Sequence, residues 1–330
     1  MTTVFGPVPS RRLGRSLGID VIPPKTCSYD CVYCESGPTT HLTVKRQAFI
    51  HPDEVIEDLL AYFQDYPESV EVLTFSSAGE PTLYEPLTEL IQAIKRHFRS
   101  LPLVVLTNGS LLWDPKVREA LLSADRVVPS LDAATEEVFR SLNLPHPGLE
   151  LWLILEGLKA FRKDYRKQLH IEVMLVSGLN DHPDELKKIR SIIDSLHPDQ
   201  VELNTVVRPP ADPHSRGLSH DEMEAVCKFF PPARTEIIGH FKGFRGLERD
   251  SNIDRRVLDM VRRRPCTVEE MASSLGVPLD HLAKTINELT QKELIARSIF
   301  ENLEYICVKG EDVQANPNDC RYRPSGEPQD

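Results

Sequence analysis

The chain has 330 residues, 40% of them hydrophobic and 27% charged, with a formal net charge of −11. That length suits one sizeable domain and a smaller one, and the negative balance argues against a whole-molecule grip on nucleic acid. No apolar run approaches the roughly 20 residues that span a bilayer, and the start, Met1-Thr2-Thr3-Val4-Phe5-Gly6-Pro7, has neither the charged beginning nor the apolar stretch of a secretory signal; the expected location is the cytoplasm, with no membrane partner.

The first feature in chain order is an arm over 6–16 that carries Arg11, Arg12 and Arg15. It reads either as a cradle for an anion at one end of a sheet or as a solvated basic arm. A strand-like run over 17–21 follows, and then three thiols, Cys27, Cys31 and Cys34, spaced four and three residues apart. A thiolate triplet this tight suits a metal cluster, because so short a loop can wrap three sulfurs around one inorganic core. Structural zinc wants four ligands, and only His41 lies near enough in sequence to offer a fourth. Seven cysteines, an odd number in a long chain without a signal, do not read as a disulfide framework. Cys227, Cys266, Cys307 and Cys320 are isolated in sequence and read as ordinary thiols.

Beyond the triplet, short runs rich in Val, Leu and Ile predict strands over 70–75, 103–107, 126–130, 170–176 and 200–204, as expected of strands covered on both faces. Between them, helices are predicted over 52–63, 86–98, 115–123, 135–142, 149–165 and 183–196, several opening with Pro or following Asp, Ser or Thr. Six strands each followed by a helix mean a parallel sheet with right-handed crossovers, two units short of a full eight-fold barrel. In such a sheet, chemistry gathers at the carboxyl ends of the strands. The unusual residues fall there: the cysteine loop, Gly79-Glu80-Pro81, Asn108-Gly109-Ser110, Ser130-Leu131-Asp132, Gly178-Leu179-Asn180, and Asn204 to Arg208. Asp132 reads equally well as a helix cap, and Arg208 as a carboxylate or phosphate clamp or a surface charge.

Cys-x-x-x-Cys-x-x-Cys with Tyr33 before the last Cys is the signature that the radical S-adenosylmethionine (radical SAM) superfamily carries, and Gly79-Glu80-Pro81 resembles its Gly-Gly-Glu-Pro motif with Ala78 in place of the first Gly. The resemblance implies a partial (β/α)6 TIM-like barrel over residues 1–240. It implies a 4Fe-4S cluster held by Cys27, Cys31 and Cys34, with the fourth iron chelated by S-adenosylmethionine. Tyr33, Gly79, Glu80, Pro81, Asn108, Ser130 and Asp132 are then expected around that ligand, Glu80 on its amino group. A flavodoxin- or ferredoxin-like reductant is the implied electron donor, feeding the release of a 5'-deoxyadenosyl radical. The arm, the 79–83 stretch and Leu203-Asn204-Thr205 narrow the likeness to the branch grouped with tRNA wyosine-base synthases, which implies a tRNA or peptide substrate. No cysteine precedes Cys27, so a second cluster of the wyosine type is not expected, and the catalytic residue stays unassigned.

From Gly239 the character changes: a linker over 240–246, then helical spacing over 253–261, 267–276 and 277–289 and two short strands over 294–299 and 304–308. Helix, helix, turn, helix and hairpin resemble a winged helix over 251–310, followed by a polar tail over 311–330 of disordered composition. A groove reader draws affinity from phosphate neutralisation. The third helix is near neutral, and only Arg262-Arg263-Arg264 helps, so the unit reads as a docking module for a substrate macromolecule rather than a DNA reader. The rival reading from another class is a redox-sensing regulator, whose cluster would report to DNA through the winged helix.

Overall fold

The computed structural model describes residues 3–10, 13–66, 70–238, 253–300 and 302–309. In chain order the elements are β1 Val4–Ser10, β2 Gly14–Ile19, the two-residue β3 Thr26–Cys27 and β4 His41–Leu42, α1 Pro52–Asp65, β5 Val72–Phe75, α2 Leu87–His97, β6 Leu103–Thr107, α3 Pro115–Leu121, β7 Arg126–Pro129, α4 Glu136–Leu142 and α5 Leu151–Asp164. There follow β8 Gln168–Leu175, α6 Pro183–Leu196, β9 Gln200–Thr205, α7 His220–Cys227, β10 Thr235–Ile237, α8 Ile253–Val261, α9 Val268–Leu275, α10 Leu279–Gln291, β11 Ile295–Phe300 and β12 Leu303–Val308.

Eight strands make one sheet in the order β1-β2-β5-β6-β7-β8-β9-β10. From β2 to β10 every pairing is parallel, the α/β arrangement of a partial barrel. The six predicted strands and six predicted helices are all present within a few residues, and the eight-stranded sheet gains two strands that sequence pattern did not show, β1 and β10, apart from the two-residue pair β3–β4. β1 pairs antiparallel with β2 and its register shifts between Phe5 and Val8; the Gly-Pro-Val-Pro run that reads as an irregular arm is tolerated because β1 is an edge strand. β10 is only three residues long and lies parallel beside β9. Arg15 sits at the amino end of β2, where its backbone N–H donates to Glu71 at 2.7 Å, so it lies at the end of the sheet opposite the cysteine loop. Arg11, Arg12, the 240–246 linker and the 311–330 tail fall outside the described residues.

Alternation along the strands assigns the two faces. Leu17, Ile19, Leu73, Phe75, Val105, Ile171, Val173 and Leu203 join Leu59, Leu90, Ile94, Phe161 and Ile189 of the helices in the main apolar core. The other face is polar on part of its width, unlike the two apolar faces that strand composition suggests. There the Ser16 and Thr74 hydroxyls meet at 2.6 Å, His170 lies 2.7 Å from Glu202, and Asn204 donates to Glu172 at 3.1 Å. A barrel lumen lined this way must be satisfied internally or by a ligand.

α8, α9, α10 and the β11–β12 hairpin share a separate apolar core of Ile253, Val257, Met260, Met271, Leu275, Leu282, Ile286 and Ile306. Local chemistry sets their ends as the sequence suggests: Thr267 and Glu270 form a capping box at α9, and Gly276 stops it in the left-handed conformation. No helix among the described residues is long and apolar enough to cross a membrane.

Candidate functional site

The cysteine loop leaves β2 and lies across the carboxyl ends of the strands. Its backbone is tied to the turn that ends α4: the N–H groups of Asp30 and Val32 donate to the carbonyls of Asn143 and Leu142 at 3.1 and 3.0 Å, and His146 N–H returns to Ser28 at 2.9 Å. Tyr29 is buried edge-on against Phe139, with ring centroids 5.5 Å apart. On the other side, Lys25 N–H donates to Ala78 at 2.8 Å and Glu80 N–H to Thr26 at 3.2 Å. Gly79 is required by that approach, since a Cβ there would stand 2.0 Å from the Thr26 carbonyl. Ala78 is accommodated in place of glycine because it is not among the described residues with positive φ.

Glu80 is buried, and its carboxylate is fully engaged by the protein. Oε1 accepts from the Thr82 N–H at 3.0 Å and from the Thr82 and Thr107 hydroxyls at 2.6 Å each, while Oε2 accepts from Asn108 N–H at 2.7 Å. Burial still pushes its carboxyl above the usual range, against the pull of those bonds. The expectation that Glu80 reaches a ligand's amino group therefore meets a carboxylate that already has four donors and locks the end of β5 to the end of β6. Pro81 opens the short turn that follows.

Two asparagine amides bracket the thiols. Asn108 Nδ2 lies 3.6 Å from Cys27 Sγ and 2.9 Å from Ser28 Oγ. Asn143 Nδ2 lies 3.5 Å from Cys31 Sγ and also donates to Asp132 Oδ2 at 2.9 Å. Tyr33 donates to the same Asp132 oxygen at 2.5 Å, and Met174 N–H to the other at 2.9 Å. Asp132 is thus a buried acceptor in the loop's support rather than a cap of α4; the N–H groups of Ala134 and Thr135 are taken by Glu185 instead. Ser130 continues β7 through a bridge to Glu172. Asn143 was missed by sequence reading, since it ends a helix outside any motif; the one signal was an Asn at a helix stop. Asn180, the polar tip after β8, is buried and holds the Val176 N–H and the Asp132 and Met174 carbonyls.

Burial pushes the Cys27 thiol up to about 12 and raises Cys31 and Cys34; the Glu80 charge adds to the effect at Cys27, the neighbouring thiols add to it at Cys31, and buried Lys25 opposes it at Cys34. Three soft sulfur donors in electrostatic contact, with amide N–H groups aimed at two of them and no fourth thiol in the loop, fit a cluster better than a lone ion: its positive core is what lets such thiols deprotonate. His41, the candidate fourth zinc ligand, is exposed on β4. Cys227 is half-buried away from the loop and Cys266 buried; Cys307 is disulfide-bonded rather than an ordinary thiol, and Cys320 lies outside the described residues.

Beside the loop opens a cavity of about 340 Å³, lined by Tyr33, Cys34, Ser76, Ser77 and Ala78 at the strand ends, by Glu172 and Asn204 in the lumen, and by Met260, Arg263 and Cys266 beyond it. Ser77 Oγ is buried there beside the Asp20 carboxylate, whose charge its hydroxyl helps to stabilise.

Comparison with known proteins agrees with this layout. A family model described as the radical SAM superfamily matches residues 21–189. UPF0026 protein MJ1312 of Methanocaldococcus jannaschii is 33% identical over 298 residues, 87% of this chain and 91% of that protein. A Brachyspira hyodysenteriae protein named GTPase Obg is 33% identical over 310 residues, 91% of this chain; the chain spans only 44% of that relative's length. A solved radical SAM methyltransferase from Sphaerobacter thermophilus superposes with a TM-score of 0.51 at 14% identity, over 67% of this chain and 66% of that one, which is a likeness of fold.

Proposed function

The chain belongs to the radical SAM superfamily, whose members use a 4Fe-4S cluster and S-adenosylmethionine, and from that premise we propose that it is a radical SAM enzyme with Cys27, Cys31 and Cys34 as the cluster ligands. When bound, the cluster and S-adenosylmethionine supply one-electron reductive cleavage to a 5'-deoxyadenosyl radical that takes hydrogen from a substrate. The observation that carries this reading is the pair of amide contacts, Asn108 to Cys27 and Asn143 to Cys31, in a loop that carries three cysteines and no fourth. Such outer hydrogen bonds orient ligating sulfurs and tune the metal.

The roles of the chain's own residues follow from their contacts. Gly79 and Pro81 present backbone beside the loop, and Glu80 positions that backbone and Asn108 rather than spending its charge on the ligand. Tyr33 and Asp132 hold the loop from the Cys31 side, and Tyr33 with buried Ser77 borders the cavity that would admit S-adenosylmethionine, while Ser130 and Asp132 stand behind that lining as supports. Electrons come from a flavodoxin- or ferredoxin-like donor, in the reducing cytoplasm. Residues 1–240 form the catalytic unit and 251–310 a winged-helix unit. The regulator reading loses support from the arginine run: Arg263 and Arg264 face Asp20 and Glu35 of the barrel, each at 3.5 Å, rather than a phosphate backbone.

The test is anaerobic reconstitution with iron and sulfide, then reduction with S-adenosylmethionine present. Brown protein that releases 5'-deoxyadenosine and methionine is expected. A reconstituted cluster that is reduced and yields neither would overturn the assignment.

A further inference from the structure

Lys25 brings a buried charge to the cysteine loop. The residue is 6% exposed, and its backbone holds the left-handed conformation, at φ 63°, that residues other than glycine seldom adopt. That kink is fixed from two sides. The Lys25 N–H donates to the Ala78 carbonyl at 2.8 Å, and the Lys25 carbonyl accepts from the N–H groups of Thr40 and His41 at 3.1 and 3.0 Å. The side chain runs to the far end of the loop. Nζ packs over Gly37, 3.0 Å from where a Cβ would stand, and the Gly37 N–H donates to the Cys34 carbonyl at 3.0 Å. Desolvation weighs against the ammonium's charge, and Cys34 and then Asp30 are the groups that favour it. Asp30 itself is engaged by the Thr39 N–H at 2.6 Å, and among the described residues no side chain accepts a hydrogen bond from Nζ.

We propose that Lys25 is the counter-charge of the cluster, a buried cation against the Cys34 end of the loop that makes the bound cluster easier to reduce. The proposal rests on the radical SAM reading for the cluster itself. Cys27 and Cys31 each have an asparagine amide, and Lys25 serves the third thiol. A buried ammonium without an acceptor is costly, and three thiolates around a cluster supply the negative charge it lacks. Each electron added makes that site more negative, so a fixed cation in a low-dielectric surround favours the reduced state. Lys25 does not line the cavity beside Cys34, so its charge acts on the loop rather than on a ligand there. It is a positioning residue, not a catalytic one.

The midpoint potential of the reconstituted full-length protein tests this without substrate or turnover, read from the paramagnetic signal of the reduced cluster in an anaerobic redox titration. Lys25→Met keeps the aliphatic length and removes the charge. At the wild-type midpoint, its ratio of reduced to oxidised cluster should fall at least about tenfold, a shift of about 59 mV to lower potential for one electron. Lys25→Arg keeps the charge and should stay close to the wild type. Lys45→Met, at an exposed lysine, should not move the potential, since solvent and salt screen that charge. Full iron with an unchanged potential in Lys25→Met would overturn the proposal. If Lys25→Met takes up no cluster, full loading of Lys25→Arg still supports the counter-charge. An equal loss of iron or of potential in both Lys25 variants makes Lys25 a packing residue and overturns it. Failure of the cofactor reading is seen separately, as a wild type that takes up no cluster.

Discussion

The strand-end mouth and the C-terminal unit solve opposite problems. At the mouth, polar groups are buried deliberately: Glu80, Asp132 and Asn143 lie among strand ends, each with its acceptors or donors filled by neighbours. In the C-terminal unit the interior is mainly apolar, its buried polar side chains being the small hydroxyls of Ser274, Thr285 and Ser298, and Glu270 faces the barrel at Arg208. The difference teaches where function is concentrated. A fold tolerates costly buried polar groups where they hold something in place, and here they hold the loop of three thiols.

The contrast sharpens first at Asp132, where the largest thermodynamic effect is expected. Burial raises its carboxyl from the ordinary 3.8 to about 6, partly opposed by the Tyr33, Met174 and Asn143 bonds. Because the folded value lies above the unfolded one, the protonated acid favours folding. Its contribution is full below about pH 3.8 and is lost as pH rises through 6. The displacement corresponds to about 3 kcal/mol. Denaturant unfolding of the apoprotein should show the wild type losing up to that much stability relative to Asp132→Asn between roughly pH 4 and 7. Parallel pH profiles would mean that Asp132 is solvated and that the mouth is not the buried polar site described.

At the other extreme, Arg297 pairs with Glu304 across the hairpin at 2.6 Å with both side chains at least 40% exposed. Arg297→Ala should change the unfolding free energy by no more than about 0.5 kcal/mol and abolish no activity, since exposed pairs are screened and entropically costly. A loss several times larger in thermal or denaturant unfolding would show that the hairpin is braced as tightly as the mouth.

Much of this was legible in the sequence because strands and helices of the barrel carry strong periodicity, and the strand ends carry polar residues in register. The triplet, Tyr33, Asn108 and Asp132 do converge on one site. β1 escaped because two prolines and a glycine mask an edge strand, and β10 because three residues carry no periodicity. Glu80 and Arg208 show the deeper limit. Their positions were readable, yet whether a charge serves a ligand or the protein depends on partners far away in sequence, Thr107 for one and Glu270 for the other.

The account turns on three thiols sharing one cluster, and iron content measures it most directly. Replacing Cys27, Cys31 or Cys34 singly by Ala should strip the reconstituted protein of most of its cluster iron, while Cys227→Ala, half-buried outside the site, should retain the wild-type iron. Wild-type iron in all three loop variants, or loss in Cys227→Ala alone, would contradict the assignment.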